Sequence, residues 1–158
     1  MKSILVYDSL YGNTREIAQA IHAALNENNE STLLPVSEAH PDQLVGIDLL
    51  IVGSPTQRFK PTDAVLKFLD SIPSAGLKGL QVAAFDTRLT DAEIQKSPPL
   101  PIFVRMFGFA AGRIAKKLRA KGGQQVVLPE GFYVQGMQGP LEEGELERAG
   151  DWARTLFA

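Results

Sequence analysis

Six consecutive residues, Ser9, Leu10, Tyr11, Gly12, Asn13 and Thr14, have the makings of an anion site. They stand between an apolar run, Ile4 to Tyr7, and a segment whose apolar residues recur at helical spacing, so a strand, a short polar loop and a helix start follow one another. The first amides of a helix lack intrahelical acceptors, and the macrodipole places partial positive charge where they point. A phosphate binds there without a lysine. Ser9, Asn13 and Thr14 add hydrogen-bonding side chains, and Gly12 lets the backbone wrap closely. The G-x-x-x-x-G-K-[ST] pattern of nucleoside triphosphate sites is absent from the sequence, which points to a phosphate monoester. The same six residues also suit a plain helix cap with a turn, and only the company of other segments separates the two readings.

Those segments must come from one fold. At 158 residues, 44% hydrophobic and 22% charged, the chain is expected to form one domain over residues 1–158 with a substantial core. A net charge of -2 gives no electrostatic footprint for nucleic acid. The absence of cysteine removes disulfides, thiolate metal sites and cysteine nucleophiles together, and no metal site is expected. No stretch approaches the ~18 apolar residues of a membrane span, so a cytoplasmic location is expected.

Short apolar runs alternate with helical patterns. Ile4 to Tyr7, Thr32 to Val36, Leu49 to Gly53, Val82 to Phe85 and Val126 to Leu128 read as strands covered on both faces. Helical stripes are formed by Ile17, Ala20, Ile21, Ala24 and Leu25, by Val65, Leu66, Leu69 and Ile72, and by Phe103, Met106, Phe107, Ala110 and Ile114. A last stripe runs through Leu146, Ala149, Ala153, Leu156 and Phe157. Between Ser37 and Ile47, Pro41 and Gly46 allow only a short helix or a loop. Five strands alternating with helices predict an α/β fold, a doubly wound parallel sheet with right-handed crossovers.

Ligands of such sheets bind beyond the carboxyl ends of the strands, where strand order reverses. Three segments are expected there: Ser9 to Thr14 after the first strand, Ser54 to Pro61 after the third, and Asp86 to Leu89 after the fourth. In this arrangement they resemble the flavin-binding loops of the flavodoxin-like family, and the resemblance covers essentially the whole chain. It implies a flavodoxin-like sheet of five strands in the order 2-1-3-4-5 and FMN as the cofactor. It places Ser9, Leu10, Tyr11, Gly12, Asn13 and Thr14 at the FMN phosphate. Ser54, Pro55, Thr56, Gln57, Arg58 and Phe59, with Asp86, Thr87 and Arg88, fall beside the isoalloxazine ring.

The departures carry information too. Flavodoxins usually have Ser or Thr where this chain has Tyr11, and usually sandwich the ring between two aromatics, whereas Asp86-Thr87-Arg88-Leu89 has none. Tyr11-Gly12-Asn13 and Gly53-Ser54-Pro55-Thr56 are similar to loops of the flavodoxin-fold NAD(P)H:quinone reductases, with Arg58-Phe59 matching their Arg-Phe pair, displaced by Gln57. Phe59 is the candidate to stack on the ring, its other reading being a core plug. Lys60 stands where those reductases tend to have Gly. A non-Gly residue at positive φ there would be disfavoured, so a one-electron-reduced flavin is expected to be held less well than in a flavodoxin. Arg58, Lys60 and Arg88, if close to the ring, would favour its reduced anion.

Other features are expected to be structural. Asp8 resembles part of the acid pocket of phospho-receiver domains, but Gly53-Ser54-Pro55 supplies no second acid. His22 and His40 read as surface residues, the cations from Arg113 to Lys121 suit a helix end, and Gly108 and Gly112 suit close packing against the sheet. Gly136 to Gly144 reads as a flexible approach to the last helix. The Pro-rich stretch Thr87 to Pro101 has the length of a lid or binding loop, and Asp91 to Gln95 suits a short helix. Two functional readings follow: an electron carrier that serves a redox partner protein, and an FMN-dependent enzyme that passes hydride from NAD(P)H to a small quinone. No catalytic residue is assigned from the sequence.

Overall fold

Alternate residues of the central strands enter two different cores. The computed structural model describes residues 1–157. On strands β1 (Lys2–Tyr7), β3 (Leu49–Pro55) and β4 (Gln81–Leu89), the residues Ile4, Val6, Leu50, Val52, Val82 and Ala84 point one way. They pack against helices α2 (Asp63–Ser71) and α5 (Ala110–Ala120) through Val65, Phe68, Leu69, Ile114 and Leu118. Leu5, Ile51, Ala83 and Phe85 point the other way, against Ile17 and Ile21 of α1 (Asn13–Leu25) and Ala149, Trp152 and Ala153 of α6 (Glu145–Thr155). A strand's period of two therefore requires helices on both faces.

The strands are parallel, in the order β2-β1-β3-β4-β5, with β2 spanning Glu30–Pro35 and β5 Gln124–Gln125. A sixth strand, β6 (Glu130–Val134), also pairs β4. Together β5 and β6 fill the fifth place as a split strand. The apolar run Val126 to Leu128 is the break, not the strand: Val126 still donates to Val82 O (3.1 Å), but Leu128 is 82% exposed. Pro129 has no amide to continue the ladder, and pairing resumes only at Glu130.

Register with β6 draws β4 past its expected end at Phe85, because Asp86, Thr87 and Arg88 pair with Gly131, Phe132 and Tyr133. These residues are thus strand rather than loop. Ser54 and Pro55 likewise belong to β3, opposite Asp86 and Thr87. Gly53 is required by a close approach, since a Cβ there would run into the Phe85 ring.

The stripe expected to join Phe103 to Ile114 is cut in two. Helix α4 (Leu100–Phe107) ends at Gly108, whose φ of 71° and ψ of -151° suit only glycine, and α5 starts at Ala110. Ala110 and Ile114 are buried, while Phe103 and Phe107 are 40% and 45% exposed. Neither Gly108 nor Gly112 is a packing glycine, since a Cβ at either would meet nothing within 4 Å. Before α4, α3 spans Asp91–Gln95, with the Thr90 side chain accepting from Glu93 N. The stretch after β2 forms two 3-10 turns, Val36–Glu38 and Pro41–Leu44.

Candidate functional site

At the carboxyl end of β1 the chain enters α1 through Gly12, at φ 94° and with no side chain of its own to cap the helix. The Ser9 hydroxyl instead gathers the turn, accepting from Gly12 N (3.2 Å) and Arg15 N (3.3 Å), while Asp8 Oδ1 accepts from Ser9 N (2.9 Å). Behind it Thr14 is buried, with its hydroxyl 2.8 Å from that of Thr87. Asn13 reaches a segment that the sequence presented only as a flexible approach to α6: its Nδ2 donates to Gln138 O (3.0 Å). A Cβ at Gly139, which sits at φ 93°, would collide with the Asn13 amide. Glycine there allows the clasp.

The second segment is fixed at its base and strained at its tip. Ser54 Oγ accepts from Thr62 N (3.0 Å), Thr56 N donates to Thr87 O (2.9 Å), and Thr56 Oγ1 accepts from Ala110 N (3.0 Å). Beyond them Gln57 and Lys60 exchange both backbone hydrogen bonds (2.9 and 3.0 Å) across a two-residue turn, with Arg58 at φ 48° and Phe59 at φ 69°. Two positive φ values make this a mirror-image hairpin turn of the kind that prefers Asn-Gly. Left-handed backbone costs a non-glycine residue of order 1–3 kcal/mol. The strain therefore sits on Arg58 and Phe59, not on Lys60. Phe59 lies against Phe103 and Phe107 of α4, with ring centroids 6.0 and 5.8 Å away.

The third segment, being strand, sends its side chains to alternate faces. Thr87 faces Thr14, whereas Asp86 and Arg88 share the opposite face as i and i+2 and meet. Arg88 donates to both carboxylate oxygens of Asp86 (2.6 and 2.8 Å), the Ala111 amide donates to Oδ2 (2.8 Å), and Asp86 is 0% exposed. Burial pushes the Asp86 carboxyl up from its ordinary range, against the pull of Arg88 and of that amide. The guanidinium lies 3.7 Å from the centroid of the Phe109 ring and fills the space that Gly131 leaves by lacking a Cβ. Arg88 is consequently not the free cation that its type suggested, because Asp86 neutralises it.

These segments enclose a pocket of about 760 Å³. Leu10, Tyr11, Asn13 and Thr14, then Pro55, Thr56, Gln57, Arg58 and Phe59, and finally Thr87 and Arg88 line it, so the three separate stretches do converge. Ser9, Gly12, Ser54 and Asp86 do not line it; they shape the backbone or hold a neighbour. His22 and His40 are elsewhere, and among the described residues no group of three or more His, Cys, Asp or Glu could hold a metal ion.

A family model described as "Flavodoxin domain" matches residues 4–95, the stretch that contains all three segments. The chain belongs to the flavodoxin family. Its cofactor is accordingly FMN, and it is a flavodoxin-like redox protein. Among solved structures, flavodoxin 1 from Bacillus cereus is 19% identical over 99% of this chain and 97% of its own, with a TM-score of 0.77. A flavodoxin from the domain Archaea is 23% identical over 100% of both chains (TM-score 0.73). A WrbA-like flavodoxin from Agrobacterium tumefaciens is 20% identical over 99% of this chain and 95% of its own (TM-score 0.70). At these identities the likeness is one of fold. No curated protein matches the chain in sequence.

The pocket of this flavodoxin suits its cofactor on physical grounds. The amides at the start of a helix accept a phosphate, and a cavity of this volume that sets apolar residues such as Leu10, Pro55, Phe59 and Val104 beside hydrogen-bonding ones such as Thr56, Gln57 and Thr87 accepts a planar ring with polar edges. Part of the wall lies beyond the residues that the sequence assigned to the flavin. Leu89, Ile94, Leu100, Val104 and Phe109 close one side, and Val134, Gly136 and Met137 another. For the first group the signal was the length of the segment after β4. For the second there was only a cluster of Gly and Pro, which marks a turn without saying what the turn touches.

Proposed function

We propose that this flavodoxin-like protein holds FMN in the pocket between β1, β3 and β4 and carries electrons between partner proteins. When bound, FMN supplies reversible transfer of one or two electrons. The observation that carries the site assignment is the convergence of three chain segments on one pocket beside the start of α1. In this reading the amides of Asn13 and Thr14 and the hydroxyl of Thr14 receive the phosphate. Ser9 holds that turn in shape through Gly12 N and Arg15 N.

The ring lies between the second segment and the end of β4. Phe59 offers it an aromatic face, and the backbone of Thr56 to Phe59 and of Thr87 to Arg88 offers its edge hydrogen-bonding groups. Asp86 stays out of contact and keeps Arg88 oriented and neutralised. Leu89, Leu100, Val104 and Phe109 exclude water from one side.

Among the described residues no helix is long and apolar enough to cross a membrane. With no cysteine to oxidise, the chain needs no oxidising compartment, and we place it in the cytoplasm beside soluble redox partners. Calorimetry with FMN and with riboflavin tests the phosphate assignment. FMN is expected to bind much more tightly, and equal affinity would remove the phosphate from Ser9 to Thr14. Adding NADPH to the FMN-loaded protein under anaerobic conditions tests the function. Without a separate reductase the flavin should keep its colour; rapid bleaching would instead make the protein an NAD(P)H-dependent reductase.

A further inference from the structure

Helix α4 is out of keeping with the rest of the fold. Six of its eight residues, Leu100, Ile102, Phe103, Val104, Met106 and Phe107, are apolar, yet none is buried. The burial that docks the other long helices onto the sheet therefore does not explain its place. Two sets of contacts do. Leu100 and Val104 edge the pocket, while Phe103 and Phe107 lie against Phe59 and 6.3 Å from each other.

Phe59 lines the pocket from the tip of the left-handed turn. A bulky residue stays at φ 69° only where its surroundings hold it, and Phe103 and Phe107 are its aromatic neighbours among the described residues. The spacing also decides how a flat ligand meets Phe59. Sliding a ring between two others takes roughly 7 Å, twice a carbon contact of about 3.5 Å. Centroid separations of 5.8 and 6.0 Å leave no such gap. A ring in the pocket thus approaches Phe59 with Phe103 and Phe107 behind it.

We propose that Phe103 and Phe107 are positioning residues for the flavin, bracing Phe59 from α4 so that its ring presents a fixed stacking surface to the isoalloxazine. The proposal rests on the reading that this pocket holds FMN with Phe59 at the ring. Its signature is dependence: the brace acts only through Phe59. Removing it should matter when Phe59 is present and not otherwise.

The test compares the wild-type chain with Phe59→Leu, with the Phe103→Leu/Phe107→Leu double variant and with the triple variant, titrating FMN by calorimetry and flavin fluorescence. The double variant should bind FMN about 3–10-fold more weakly, the scale of one or two aromatic contacts, and leave the bound flavin more fluorescent. The triple variant should be no weaker than Phe59→Leu alone. Losses that add, or a double variant indistinguishable from wild type, would overturn the proposal.

A second measurement needs no variant. Amide hydrogen exchange across residues 100–107 of the wild type should slow when FMN binds. Unchanged exchange there, with FMN bound, also overturns the brace. Failure of the wild type to bind FMN at all would instead sink the pocket reading itself, so the two outcomes are distinguishable.

Discussion

The hydroxyls of Thr14 and Thr87 lie 2.8 Å apart in a buried hydrogen bond that joins the start of α1 to the end of β4. Through it the segment assigned to the phosphate and the segment assigned to the ring are oriented together. Thr14→Ala should weaken FMN by about 1.5–3 kcal/mol, the worth of a hydrogen bond to a charged group, where calorimetry reads the loss directly. Thr87→Val leaves the Thr14 hydroxyl in place but without its partner, and should lower the stability of the FMN-free protein by about 1 kcal/mol in urea unfolding. An unchanged midpoint for Thr87→Val would mean the bond contributes nothing.

The turn from Gln57 to Lys60 invites relief of strain. Arg58→Asn exchanges a residue at φ 48° for one that tolerates the left-handed region and should stabilise the FMN-free protein by about 0.5–1 kcal/mol. A denaturation midpoint that falls would show that Arg58 makes contacts worth more than its strain.

Asp86 compensates Arg88, so Asp86→Asn should leave a cation beside the pocket with no counter-ion. Stability is expected to fall by about 3 kcal/mol, as for a broken buried ion pair. The reduction potential of bound FMN is expected to rise, at most by roughly 60 mV, the one-electron equivalent of about 1.4 kcal/mol. An anaerobic redox titration showing no rise would place Arg88 too far from the ring to act on it.

Away from the pocket, Glu145 of α6 accepts from Tyr133 N (2.7 Å) and pairs with Arg148, tying β6 to the last helix. Burial raises its carboxyl, but the hydrogen bonds from Arg148 and from the Tyr133 amide outweigh burial and hold it below its ordinary value of 4.5. A carboxyl depressed by folding stabilises fully above its unfolded pKa and loses that contribution as pH falls through the folded one. Glu145→Gln should therefore lose about 1.5–3 kcal/mol at neutral pH. Its stability should also decline less steeply than wild type below pH 4.5. Parallel acid-unfolding curves would contradict this.

What the sequence determined by itself is whatever a local pattern encodes. Short continuous apolar runs marked four strands, and period-3.6 apolar spacing marked the helical faces. The polar stretch Ser9 to Thr14 marked a strand-to-helix turn, and the three stretches beyond strand ends pointed to the flavodoxin-like family, which the match over residues 4–95 establishes. The tertiary structure decided what depends on partners distant in the chain. Asp86 to Leu89 became strand because β6 pairs with all four and β3 with the first two, and strand alternation then separated Thr87 from the Asp86–Arg88 pair. Pro129 split the fifth strand, and Gly108 turned one apparent helix into two. The Gln57–Lys60 bonds put positive φ on Arg58 and Phe59, and Gln138 reached Asn13. Side-chain periodicity reports which face of an element is buried, but hydrogen-bond pairing and backbone sign are fixed by the neighbour across the gap, and no local pattern names that neighbour.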